Sequence, residues 1–284
     1  GEWLIMMKAL YSGVSGLKSH QTKMDVIGNN ISNVNTYGFK AQRATFRDVY
    51  YQTLRSPSSG SATRGGTNAS QVGYGAQVGS VDTIHSLSGY SPTDKSTDLC
   101  INGEGYLVVK DASNNIFYTR LGSLNFDAVG NLVDSNGSKV LGVNGVSTST
   151  INAISGLAPI AITNYNNYKN ITINSDGSIS GTDKTTGTIS TLATIHVANI
   201  PNQDALILEG NSYYTAGNNT GTITYEIPGL QGTGAFITGG LEMSNVDLAK
   251  EFSDMIITQR GFQANTKIVS VVDQMLEELV NLKR

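Results

Sequence analysis

Three histidines (His20, His85 and His196), a single cysteine (Cys100) and scattered aspartates are the residues of this sequence with the most obvious capacity for chemistry. A transition-metal site needs several His, Cys or carboxylate ligands brought together, and on a helix it is announced by a second histidine three or four residues on. None of the three histidines has one. A nucleophile elbow, a Walker loop and a strand-linked dinucleotide fingerprint are also missing, and Gly73-Tyr74-Gly75 and Gly103-Glu104-Gly105 read as glycine pairs in β turns. Asp82 and Asp176, the latter followed by Gly177, fit carboxylates that fill turns. The expectation is no catalytic residue, no metal and no cofactor.

Cys100 alone allows no intramolecular disulfide and no multi-cysteine zinc site. It precedes an apolar run and reads first as a small core residue. The sharper alternative is a crosslink between subunits, because Lys95 and Lys110 lie nearby in sequence and a thiol beside lysine is activated where it is exposed.

Composition narrows the function classes further. Charged residues make up 14% of 284, against about 25% in an average soluble domain, and 32 glycines exceed the usual share of roughly 7%. The formal net charge is −3 with no long basic stripe, which argues against a nucleic-acid partner. No stretch approaches the roughly 20 apolar residues of a helical membrane span, and Trp3 to Met7 is too short for a signal-peptide core. Met6 and Met7 both read as initiators, so Gly1 to Ile5 read as a cloning scar or an upstream start and are set aside from the fold.

The elements that must position these residues are two terminal helices. Leu10, Val14, Leu17, Met24, Ile27 and Ile31 follow the alternating four-and-three spacing of a narrow helical seam. That helix should stop within residues 33–38, at Asn35 and Gly38. At the other end Leu248, Phe252, Met255, Phe262 and Val269, then Val272, Leu276 and Leu279, form a second seam. Ser244 and Asp247 read as a capping box, so the helix should start near Asn245, with Lys283 and Arg284 closing its last turn. Gly261 interrupts it and reads as a place where another backbone packs closely.

Between the helices, short β-prone segments alternate with turn signals such as Asp127–Asn131, Asp134–Gly137 and Ser175-Asp176-Gly177. The fold expected is α+β: N- and C-terminal helices paired as a coiled coil, with an all-β, antiparallel outer domain between them. Residues 6–40 with 241–284 should form the helical assembly domain, 41–74 an extended linker and 75–240 the β-rich domain. Residues 56–73, rich in Ser, Gly, Thr and Asn, carry the linker reading. A narrow seam is unstable alone in water, so each helix must pack on the other, and any leftover stripe must meet neighbouring subunits. That is the architecture of a polymer with heterologous, non-closing contacts. The same helices packed on the β domain of a monomer is the competing arrangement.

The motifs favour the polymer. Ser12-Gly13-Val14-Ser15-Gly16-Leu17, Met24 to Asn33 and Thr36-Tyr37-Gly38-Phe39-Lys40 resemble the N-terminal signature of the flagellar rod and hook family, and Thr97 to Val109 and Arg120 to Gly130 resemble the opening of its β domain. Leu241 to Ala249, Gln259 to Asn265 and the ending Glu277 to Arg284 resemble the hook branch, and residues 62–85 its short Gram-positive form. Residues 146–230 match nothing in that family beyond a β-rich domain. The resemblance implies a structural subunit of the flagellar hook, a curved flexible tube that carries torque from rod to filament; the alternative is the distal rod subunit. It further implies export through the flagellar type III apparatus without a cleaved signal peptide, so the subunit acts in the flagellum outside the cell. The implied partners are other copies of itself, the distal rod and hook–filament junction proteins, and the hook cap.

Overall fold

The computed structural model of this chain describes residues 2–61, 63–147 and 149–282. The chain divides into two compact units, one made of Gly1–Ser32, Gln42–Ile84 and Val246–Arg284, the other of Asn33–Ala41 and His85–Asn245. Helices occupy the two ends and strands most of the rest, giving an α+β fold.

In the first unit, helix α1 (Glu2–Ser32) takes in the residues set aside before Met6 and Met7 and ends where the turn residues required it, with Thr36 N–H on the Asn33 carbonyl. Helix α2 (Leu248–Leu282) starts later than the capping-box reading placed it. The Asp247 carboxylate is the N-cap, accepting from the N–H groups of Ala249 and Lys250 at 2.9 and 3.3 Å. A carboxylate there satisfies orphan donors and meets the positive end of the helix dipole. Asn245 precedes the helix, and its side-chain oxygen accepts from the Ala41 N–H at 2.7 Å. Lys283 and Arg284 lie outside the described residues.

The stretch read as linker, 41–74, instead contains strands. β1 (Gln42–Asp48) pairs with β4 (Ala76–Thr83), and β2 (Tyr51–Arg55) with β3 (Ser70–Gly73), all antiparallel; the bridges Ser58↔Thr67 and Ser61↔Arg64 carry the pairing towards the tip. Backbone ladders need no apolar side chains, and cross-strand hydroxyl pairs such as Thr45–Ser80 (2.7 Å) and Ser58–Thr67 (2.8 Å) suit a Ser/Thr-rich ribbon.

The second unit is built on an antiparallel sheet of 13 strands. β5 (Tyr90–Pro92) and β6 (Leu99–Asn102) pair outside it, with Gly240–Glu242 and Ala235–Thr238. β7 (Tyr106–Lys110) runs through its middle beside β8 (Ile116–Thr119) and is buried on both faces. Alternation along β7 sends Leu107 and Val109 into one apolar cluster with Leu124, Val140 and Ile195, and Tyr106 and Val108 into another with Tyr118, Tyr214 and Tyr225. The turns take the form their residues dictate: Asp127 Oδ1 accepts from the N–H groups of Val129 and Asn131, and Asp134 Oδ1 from those of Asn136 and Ser138.

One buried ionic cluster ties this unit together. Lys40 Nζ donates to Glu242 Oε1 at 2.5 Å and to the Ser86 carbonyl at 2.7 Å, while Arg120 Nη1 lies 3.4 Å from Glu242 Oε2 and stacks its guanidinium over the Tyr106 ring. Lys40, Arg120 and Glu242 are each no more than 2% exposed. The approach requires a glycine at 38: its φ is +69°, and a Cβ there would sit 3.1 Å from the Arg120 carbonyl carbon.

Removing one partner from such a cluster leaves an uncompensated buried charge. Glu242 is the one carboxylate between two buried cations, so Glu242→Gln, which strands both, should lower the unfolding free energy of this unit by about 3–5 kcal/mol, read from urea titration of the full chain. The pH response follows from the histidines of the same unit. Burial lowers the pKa of His85 and of His196 below the ordinary 6.5. A depressed folded pKa gives stability that is present above 6.5 and is lost as pH falls below it. The urea midpoint should drop between pH 7.5 and 5.5, and the double variant His85→Gln with His196→Gln should flatten that slope.

Candidate assembly surface

In the first unit α1 and α2 pack side by side and antiparallel. A Cβ built on Gly13 meets Val269, one on Gly16 meets Asn265, and one on Gly261 meets the His20 ring, while Lys23 Nζ lies 3.9 Å from Asp254 Oδ1. What approaches Gly261 is an imidazole and not the backbone expected there, its Cε1 only 2.6 Å from the ideal Cβ position. The same ring meets Phe46 of β1 edge to face, at 5.6 Å between centroids. Burial, then the Lys23 charge, pushes the His20 pKa down.

The contact line is therefore rotated from the apolar seam read in the sequence. Within the expected set, Ile27 and Val272 are buried. Leu10, Leu17, Met24, Ile31, Met255, Phe262, Val269, Leu276 and Leu279 are half-buried, and Val14, Leu248 and Phe252 are exposed. The contact line of α2 begins on Thr258, Gly261 and Asn265, small or polar residues that apolar spacing cannot detect, and becomes apolar only from Val269 onward.

That rotation leaves large apolar side chains on the surface. On α2, Phe252, Ile256 and Ile257 are 51%, 59% and 62% exposed, and Ile268, Val271 and Met275 are also open. On α1 the exposed apolar residues are Met7, Tyr11 and Val14. The hairpin adds Phe46, Tyr50, Tyr51, Leu54, Val72 and Val81. Against these, the fully buried apolar side chains among the described residues of this unit are Ile27 and Val272, whereas the second unit has a full core. Scattered apolar side chains are ordinary on a surface, but contiguous stripes on two helices and a ribbon mark an interaction site.

Cys100 lies elsewhere, in the second unit. It is buried in β6, opposite Ile237, and burial raises its thiol pKa. Of the three histidines, His20 belongs to the first unit and His85 and His196 to the second, and no group of three metal-ligating side chains forms among the described residues. Sequence reading missed the hairpin and the ionic cluster; a lysine and a glutamate 202 residues apart give no local signal of pairing.

Three family descriptions match the chain: flagella basal body rod protein over residues 10–40, flagellar hook protein FlgE/F/G D1 domain over 100–181, and flagellar basal body rod FlgEFG protein C-terminal over 237–282. The flagellar basal-body rod protein FlgG of Bacillus subtilis (strain 168) is 44% identical, over 98% of this chain and 100% of that protein. The flagellar hook protein FlgE of Borreliella burgdorferi is 28% identical, over 98% of this chain and 100% of its own length. The flagellar hook protein FlgE of Treponema pallidum is 44% identical over 138 residues, which span 48% of this chain and 30% of that one.

Two glycines test the helix contact from opposite directions. Gly261→Val must displace the His20 ring and should cost about 1–3 kcal/mol of overpacking. Gly28→Ala meets nothing within 4 Å, so it should stabilise α1 by about 1 kcal/mol through helix propensity alone. Thermal unfolding followed at the helical circular dichroism band reads both, and equal effects of one sign would place the contact line elsewhere.

Proposed function

We propose that this chain, which belongs to the flagellar rod and hook family, is the subunit of the flagellar hook and polymerises into a curved, flexible tube that transmits torque from rod to filament. It is a structural protein of the flagellum that serves motility, not an enzyme. The observation that carries the polymer reading is the first unit itself, whose two long helices bury little against each other and leave apolar stripes open. Other copies are the natural cover for those stripes. In the assembled tube the terminal helices wind together as a coiled pair, and the β-rich unit forms the outer domain, starting at His85 and not at residue 75 because β4 pairs with β1 in the first unit.

The hook position is supported by the likeness of residues 241–249 and 277–284 to the hook branch, and by the match to two hook proteins. An outer surface poor in charge and rich in Ser, Thr, Asn and Gly suits a tube whose subunits exchange weak, water-bridged contacts as it bends. One observation favours the distal rod as a second reading: rod proteins such as that of Bacillus subtilis match from end to end at similar length. As a hook subunit, the chain would reach its site through the flagellar type III export apparatus. There it would join the distal rod proximally and the junction proteins distally, growing beneath the hook cap.

Electron microscopy separates the two positions. Purified protein should form curved tubes, and a deletion strain should keep its rods while losing hooks and filaments. Straight polymers, together with rods truncated in the deletion strain, would assign the chain to the distal rod. A protein that stays monomeric at high concentration, in a strain with normal hooks and rods, would overturn the polymer reading itself.

A further inference from the structure

The exposed apolar residues of the two helices form stripes with matching steps. On α1, Met7, Tyr11 and Val14 are followed by exposed Lys18, in steps of four, three and four. On α2, Met275, Val271, Ile268 and Ala264, read towards the N-terminus, are exposed and step by four, three and four. At about 100° per residue, the α1 stripe lies about 165° round from its contact with α2, facing away from that helix, and the α2 stripe about 80° round from its contact with α1. Because the helices run antiparallel, these rotations carry the two stripes to different faces of the pair. Ile268 also reaches α1 of its own chain, its Cγ2 3.6 Å from a Cβ built on Gly13, yet stays 45% exposed, so the stripe is still open to another copy.

Resting on the polymer reading above, we propose that the α2 stripe of one copy receives the α1 stripe of the next, antiparallel, with Met7 against Met275, Tyr11 against Val271 and Val14 against Ile268. The two surfaces are different and sit on different faces, so the contact is heterologous: every copy keeps one unsatisfied stripe of each kind and the assembly grows without closing as a dimer. Charge fixes the register. Sliding by one heptad in one direction sets Lys18 against Ile257, and in the other direction sets Glu278 against Tyr11 and Lys18 against Val271. Either slip forces a charge into an apolar seam, whereas the proposed register puts Lys18 beside the small Ala264 at the end of the stripe. The apolar steps alone would permit all three registers.

The test uses two single-cysteine variants of the full chain, Val14→Cys and Ile268→Cys, each in a Cys100→Ala background and mixed before polymerisation. A disulfide needs Cα atoms within about 7 Å, so oxidation should yield a dimer holding one copy of each variant, identified by mass spectrometry of the linked peptides. Polymers that form yet give no mixed dimer, or that link Val14→Cys to itself, would overturn the pairing while leaving the polymer reading intact. Wild-type protein that never polymerises would sink both. Should the cysteine variants fail to polymerise while wild type does, a charge pair decides. Val14→Lys and Ile268→Glu should each reduce assembly at least tenfold and together restore it, and a double variant as defective as its parents would rule the contact out.

Discussion

A helix of thirty-odd residues with apolar side chains on more than one face cannot bury them all against a single partner helix, and the rest of this molecule is arranged around that deficit. α1 and α2 approach closely through Gly13, Gly16 and Gly261. That closeness fixes one contact line and turns the remaining apolar residues outward. The hairpin residues 42–83 behave the same way: β2 and β3 are exposed along their whole length, and a two-stranded ribbon alone is marginal in water. Both features leave the first unit with apolar surface that its own residues do not bury.

The second unit is self-sufficient by contrast. Its sheet buries β7 on both faces, its turns are closed by aspartates that accept their own backbone N–H groups, and Tyr213 donates to the buried Asp134 carboxylate beside Ser138. Beside the ionic cluster lies a second set of hydrogen bonds, made by residues next to the chain crossings. Ala41, Ser86 and Asn245 meet one residue or so from the points where the chain passes into the other unit, and Lys40 and Glu242 lock the same place. A buried ion pair is weak evidence for stability and better evidence for a specified arrangement. Here it holds the short segment 33–41, which has no regular structure before β1, in one place on the β unit.

Much of this was legible in the residues. Apolar periodicity located both helices, the turn residues after Ser32 ended α1 where expected, and the Asp127, Asp134 and Asp176 turns formed as their residue types require. The rest was hidden for physical reasons. Apolar spacing could not find a helix contact made by Thr258, Gly261 and Asn265, because small and polar side chains pack there. Composition could not reveal a ribbon whose cohesion is backbone pairing and hydroxyl bonds, so residues 56–73 read as linker. Ser244 and Asp247 read together as a capping box with the helix starting near Asn245, whereas the helix starts at Leu248 with the Asp247 carboxylate as its N-cap. Cys100 read correctly as a core residue, and the apolar run it precedes is the centre of the sheet.

The link between Lys40 and Glu242 spans 202 residues, and this bears on how the chain reaches its folded state. Closing so long a loop has an entropic cost that only late, non-local contacts can repay, so contacts of this kind are expected to slow folding. While the chain is being synthesised, residue 40 leaves the ribosome long before residue 242 exists, and until then the lysine has no carboxylate to meet. A chain cut short just before Glu242 would keep its first helix and most of its strands, yet would lack the carboxylate that holds Lys40 and with it segment 33–41.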